Sequence, residues 1–150
     1  MKSKVDVAKS IEDATLQLEG LDKRLQKPNN VRVGLPKNSN NYPDGTSVVL
    51  VGIVQEFGSE KRGIPSRSFL RSTIHSNKRT YKSLFKKLAT TMIKYEATME
   101  KSLGILGLQV QSDVVKKISA GISPKLKSRS GTPLVDTGHL RRSITFEVTK

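Results

Sequence analysis

Asp136-Thr137-Gly138 is the first place in this chain where residue type and spacing could do chemistry. This triplet carries the catalytic carboxylate of aspartic proteases, which work with two such groups sharing one proton, so a single copy per chain demands a symmetric dimer. The neighbours oppose that use. His139, Arg141 and Arg142 follow at once, and cationic groups beside a carboxylate pair would hold both members ionised. A local role fits better: Asp136 or Thr137 offers a side-chain oxygen to cap a following turn, and Gly138 supplies permissive dihedrals. Pro133, before Leu134 and Val135, keeps the approach extended. Leu140 and Ile144 fall four apart on one face, and Ile144, Phe146 and Val148 then alternate with Thr145, Glu147 and Thr149, the period of a half-buried strand.

No other cluster competes for a reaction. Cysteine is absent, which excludes disulfides and thiolate metal sites. The two histidines, His75 and His139, lie far apart and lack a ligand spacing with nearby carboxylates, so neither a metal nor a cofactor is expected. The 150 residues suffice for one domain with a modest core. The basic opening Met1-Lys2-Ser3-Lys4 runs into an amphipathic, acid-bearing stretch rather than the apolar core of a signal peptide, and no segment reaches the length of a membrane span. Synthesis and use in the cytoplasm, or incorporation there into something larger, is the expectation.

The net charge of +14 is unevenly spread. Between 76 and 127 there are eleven cations and three acids, whereas the first thirty residues carry six and five. A basic helical face can meet phosphate, line a passage for nucleic acid, or dock on an acidic protein. The lack of Trp, the few aromatics and the absence of an Arg-rich recognition helix weigh against sequence-specific nucleic-acid reading.

The elements that must carry these residues follow from periodicity. Residues 5–27 read as an amphipathic helix with Ile11, Ala14, Leu18, Leu21 and Leu25 on one stripe, too short for an independent coiled coil and suited to packing on the core or on a neighbouring subunit. Val31 to Leu35 alternates as a short strand, and Pro36 to Gly45 is a surface loop. The apolar run from Val48 to Val54 suits a strand by its β-branched content or a buried helix by its continuation to Gly58; helix is preferred. Glu56, Phe57 and Gly58 then read as a helix C-terminus with Phe57 buried and Gly58 as a left-handed cap.

After a charged loop, Gly58 to Gly63, the segment Ile64 to Leu70 returns to the core through Ile64, Phe69 and Leu70. A long helix is predicted over 76–98, with Tyr81, Leu84, Phe85, Leu88, Met92, Tyr95 and Met99 as its core stripe. Lys78, Arg79, Lys82, Lys86, Lys87 and Lys94 form the other side, solvated or available to DNA or a partner. Residues 100–121 give a second stripe through Leu103, Leu106, Val110, Val114 and Ile118; Gly104 and Gly107 inside it suggest close approach to another helix, and Gly121 stops it. Residues 123–132 read as an exposed linker. The expected organisation is a single domain over 1–150: an N-terminal helix to 28, a core over 29–122, the linker, and a terminal turn and strand over 133–150.

Two segments together resemble a known family. Gln55-Glu56-Phe57-Gly58, then Ile64-Pro65-Ser66-Arg67-Ser68-Phe69-Leu70-Arg71, is similar to the "E-F-G … I-P-x-R-P-F-L-R" signature of tail-completion and neck proteins of long-tailed bacteriophages, with Ser68 where the pattern has proline. The helical segment Leu103 to Ile122, with Gly107-Leu108-Gln109 inside it, then Pro133-Leu134-Val135-Asp136-Thr137-Gly138 and Leu140-Arg141-Arg142-Ser143-Ile144, resembles the same family's "P-L-x-D-T-G-x-L-R-x-S-I" ending, reached here through a shorter linker. The likeness covers roughly residues 48–149. It implies an α+β virion component, a small mixed sheet packed with long amphipathic helices, and no enzymatic activity. It further implies a homo-oligomeric ring, a hexamer, at the head-proximal end of the tail, assembled in the host cytoplasm and joining the tail to the filled head. The implied partners are tail terminator or tail tube proteins, head-closure or connector proteins, and DNA passing through the lumen, with no membrane. The competing expectation from charge alone is a small basic nucleic-acid-binding protein. For Arg67, Arg71, Arg141 and Arg142, solvated surface and pairing with acids across subunits are the two readings.

Overall fold

A computed structural model describes residues 4–25, 30–95, 97–124 and 138–149, and of residues 4–8, 10, 11, 24, 25 and 95 the backbone alone. Within them the chain runs α1 (Lys4–Leu25), β1 (Asn30–Gly34), α2 (Val48–Phe57), a 3-10 turn (Glu60–Arg62), α3 (Leu70–Tyr95), α4 (Met99–Ala120), α5 (His139–Arg142) and β2 (Thr145–Thr149). The class is α+β, a small sheet on long helices, and the sheet is one antiparallel pair: Asn30 faces Thr149, Arg32 faces Glu147 and Gly34 faces Thr145. The two described strands, near the two ends of the described chain, thus close on each other. No described helix is long and apolar enough to cross a membrane.

α4 is the axis of the molecule. Its stripe of Leu103, Val110, Val114 and Ile118 is buried, as the three-and-four spacing requires, and α3 and both strands pack on it. The sheet comes close because Gly107 has no side chain: a Cβ there would lie 2.5 Å from the Phe146 ring and 2.8 Å from Val31. Gly107 therefore does mark a close approach, but to the strand pair rather than to another helix. Gly104, one turn earlier, meets nothing within 4 Å. Thr98 caps α4 by accepting a hydrogen bond from the Lys101 N–H, and Gly121 (φ +86°) ends it. Between α3 and α4 the Tyr81 hydroxyl donates to Asp113 at 3.0 Å, and burial together with that carboxylate pushes the phenol pKa up.

The helical reading of 48–57 holds, with Ser47 accepting from the Leu50 N–H at the start. The core joins Val48 and Phe69 to Val110, Val114, Ile118, Leu140 and Ile144. Two expectations fail. The long helix begins at Leu70 rather than 76 and ends at Tyr95, leaving Met99 to α4. Phe85, assigned to the core stripe, is 43% exposed, while Met92 of the same stripe is buried. Of the N-terminal stripe, expected on the core or on a neighbouring subunit, Ala14 is exposed, Leu18 is 66% exposed and Leu21 is half-buried, so these residues are not in the described core of this chain. The linker from 125 onward, with Pro133, Leu134, Asp136 and Thr137, lies outside the described residues, so the capping role assigned to Asp136 or Thr137 does too.

Candidate functional site

The first signature folds into a knot of hydrogen bonds around one carboxylate. α2 ends at Phe57, and Glu56 in its last turn aims its side chain at the first turn of α3. A helix N-terminus leaves its opening N–H groups without intrahelical acceptors and carries a partial positive charge. Glu56 answers both. Its Oε2 accepts from the backbone N–H of Phe69 at 2.8 Å and of Leu70 at 2.9 Å. Its Oε1 accepts from the Ser68 hydroxyl at 2.7 Å, and from the backbone N–H and the Nε of Arg71, each at 3.0 Å. The backbone carbonyl of Glu56 accepts from the Ser66 hydroxyl at 2.8 Å and from Arg71 Nη2 at 3.1 Å.

The Glu56 side chain is only 6% exposed. Burial pushes its carboxyl pKa up, yet the Leu70 N–H, the Ser68 hydroxyl and the two donors of Arg71 together hold it below the ordinary value of 4.5. The carboxylate is thus ionised and fully engaged. Arg71, 59% exposed, lies with its guanidinium carbon 4.5 Å above the centre of the Phe57 ring. It pairs inside the chain with Glu56, against the expectation of an acid on another subunit or of solvent alone.

Arg67 departs furthest from its expected place. Read as surface or cross-subunit, it is 4% exposed. Its backbone N–H donates to the Gln55 carbonyl at 2.6 Å, its Nη1 to the Gln55 side chain at 3.2 Å, and its Nε to the Pro124 carbonyl at 2.8 Å. One guanidinium thereby ties the end of α2 to the chain leaving α4. Gly58 has positive φ (+79°) but an extended ψ (177°), so it is not the left-handed cap expected. It is glycine because a Cβ there would lie 2.8 Å from the Ser66 nitrogen and 2.9 Å from the Ile64 oxygen. Those contacts arise where Ser59 and Ile64 bridge across the 3-10 turn, each N–H donating to the other's carbonyl. Ile64 and Pro65 are half-buried in that return. Phe57, expected in the core, is 62% exposed.

The second signature is anchored by its described half. Gly138, φ +65°, opens α5; Leu140 and Ile144 are each 2% exposed in the same core as Phe69. His139 Nε2 lies 2.8 Å from the Asn40 carbonyl, and its ring is 4.6 Å from that of Tyr42. Arg141 donates to the Ser119 hydroxyl at 3.1 Å, the Ser143 hydroxyl donates to the His139 carbonyl at 2.9 Å, and Gln111 of α4 donates to the Ile144 carbonyl at 2.8 Å. The two signatures therefore meet in one core, with α2 packed on α5. The six cations proposed for DNA or partners, Lys78, Arg79, Lys82, Lys86, Lys87 and Lys94, are all exposed along α3.

Sequence reasoning gave no role to Ser66, Gln55 or Pro124, and took Ser68 only as a departure from the pattern. Ser68 does what a proline cannot: its hydroxyl bridges Glu56 and the N–H of Ser72, the latter at 3.2 Å. The usable signal was the serine before Phe69-Leu70, a capping type ahead of an apolar pair. Beside Glu56 an open apolar groove of about 170 Å³ runs between Leu35, Gly52, Ile53, Phe57 and Leu70. No family model, curated protein or solved structure matches this chain.

Proposed function

We propose that this chain is a structural subunit of the neck of a long-tailed bacteriophage, forming a homo-oligomeric ring that completes the tail and helps join it to the DNA-filled head. The observation that carries this reading is what the signature residues do. Glu56 joins α2 to α3, Arg67 ties the end of α2 to the chain leaving α4, and Phe69, Leu140 and Ile144 share the core with α4. Residues used in this way specify a shape, which suits an assembly subunit better than an enzyme. The resemblance to tail-completion proteins supplies the place for that shape, the virion, with tail terminator or tube proteins on one side and connector proteins on the other.

The test is made on particles. Mass spectrometry of purified virions is expected to find several copies of the chain, and loss of its gene to leave filled heads and tails that accumulate unjoined. Normal infectious particles assembled without it would refute the proposal.

The second reading, nucleic-acid binding, is favoured by α3 alone: seven cations and no acid between 70 and 95. It predicts affinity for duplex DNA that drops with a log–log salt slope of about −0.9 per phosphate neutralised. Lysines facing the lumen of a ring would serve both readings, since DNA passes through it.

A further inference from the structure

Two helices of this chain present faces that the fold leaves open, and the faces complement each other. On α3, Ile74, Lys78, Lys82, Phe85, Ala89 and Ile93 follow at spacings of four, four, three, four and four, which places them along one side of the helix. Ile74, Phe85 and Ile93 are 44%, 43% and 64% exposed, and Lys78 and Lys82 between them are exposed too. Large apolar side chains in a row amid lysines are poorly suited to solvent and to a polyanion alike. On α1, Ala14 and Leu18 are exposed and Leu21 half-buried at spacings of four and three. Asp13 and Asp22 flank that row, Glu12 and Glu19 lie on the far side of α1, and α3 carries cations alone. With 22 and 26 residues, the helices extend about 33 and 39 Å, so one can lie along the other.

We infer that α1 of one copy docks along the Ile74–Ile93 stripe of α3 in a second copy, its leucines between Ile74, Phe85 and Ile93 and its Asp13 and Asp22 carboxylates flanking the contact beside the lysines. This deepens the proposed function and rests on its homo-oligomer. Each subunit gives α1 to one neighbour and receives α1 from another, a head-to-tail contact that closes into a ring when the rotation allows and otherwise runs on as a filament. The exposed apolar stripe of α1, unexplained by the chain's own core, and the apolar row on a basic helix thus have one cause.

Because the chain has no cysteine, the contact is tested by introducing two. Leu18→Cys and Phe85→Cys in one full-length chain are expected to give, on mild oxidation, a ladder of disulfide-linked dimers, trimers and higher species. Mixing the two single variants is expected to give dimers alone. Lys78→Glu with Lys82→Glu is expected to weaken self-association about tenfold in sedimentation while leaving the unfolding midpoint of the subunit in place, and added salt to weaken it as well.

A disulfide formed only within the chain would overturn the inference by assigning α1 to its own α3. Leu18→Cys cross-linking alone as well as in the mixture would overturn it in favour of α1 pairing with α1. Capture of short duplex DNA, abolished by the lysine substitutions and unaccompanied by any cross-link between chains, would give the stripe to nucleic acid. These readouts use the purified chain and are separable from the virion test: a ladder from a protein absent from particles keeps this inference and sinks the neck reading, and a virion protein without the ladder does the reverse.

Discussion

Glu56 concentrates on one side chain the work usually divided among several helix caps. Replacing it with Gln keeps the shape but sets an amide N–H₂ against donors and removes the charge that the α3 N-terminus and Arg71 attract. A loss of about 2–4 kcal/mol in urea unfolding is expected. The pH dependence follows from the lowered carboxyl pKa. A group whose folded-state value is depressed contributes stability that is complete above its unfolded value, near 4.5, and that disappears as pH falls through the lower folded value. Wild-type protein should therefore weaken on acidification below about pH 4.5 more steeply than the Gln variant. Equal slopes would mean that Glu56 is not held ionised as its five hydrogen bonds require. Gly58→Ala is expected to cost about 2–3 kcal/mol, since positive φ and two backbone atoms within 3 Å leave a methyl nowhere to go.

At the scale of elements, α4 offers a comparison within one helix. Glycine in a helix interior costs up to about 1 kcal/mol relative to alanine. At Gly104 the space is open, so alanine should stabilise by about 0.5–1 kcal/mol. At Gly107 the same substitution drives a carbon into the Phe146 ring and Val31, and overpacking should reverse the sign, to a loss of about 2 kcal/mol. Thermal unfolding of the two variants reads this directly, and a stabilising Gly107→Ala would mean that the sheet does not press on α4 there. The contrast also shows what the sequence could disclose. The stripe of α4 was legible because three-and-four spacing is set by the helix itself. Which glycine faced a neighbour was not, because that depends on a strand some forty residues on. The start of α3 was missed by six residues for a related reason: its cap is a carboxylate more than a dozen positions upstream, beyond any local capping pattern. Arg67 and Phe57 traded places with expectation, the cation buried by the carbonyls gathered around it and the aromatic left outside beneath Arg71.

For the molecule as a whole, the described core draws on residues from Val33 to Ile144 and on none from α1. A subunit lacking residues 1–28 should thus unfold at nearly the wild-type temperature, with a shift of no more than a few degrees, because removing a helix that adds no described residue to the core takes little apolar burial from the rest. Its assembly should nevertheless fail, since α1 is the half of the proposed contact that the next subunit receives. Unfolding and sedimentation measured on the same truncated sample separate the two effects. If the truncated chain melts far below wild type, α1 belongs to the fold and its exposed leucines are covered from within. If it keeps both its stability and its oligomer, the ring is held by other surfaces, such as the open groove beside Phe57 or the edges of the two-stranded sheet that pair with no described strand. Stability retained with assembly lost is the outcome expected of a subunit whose first helix exists for its neighbour.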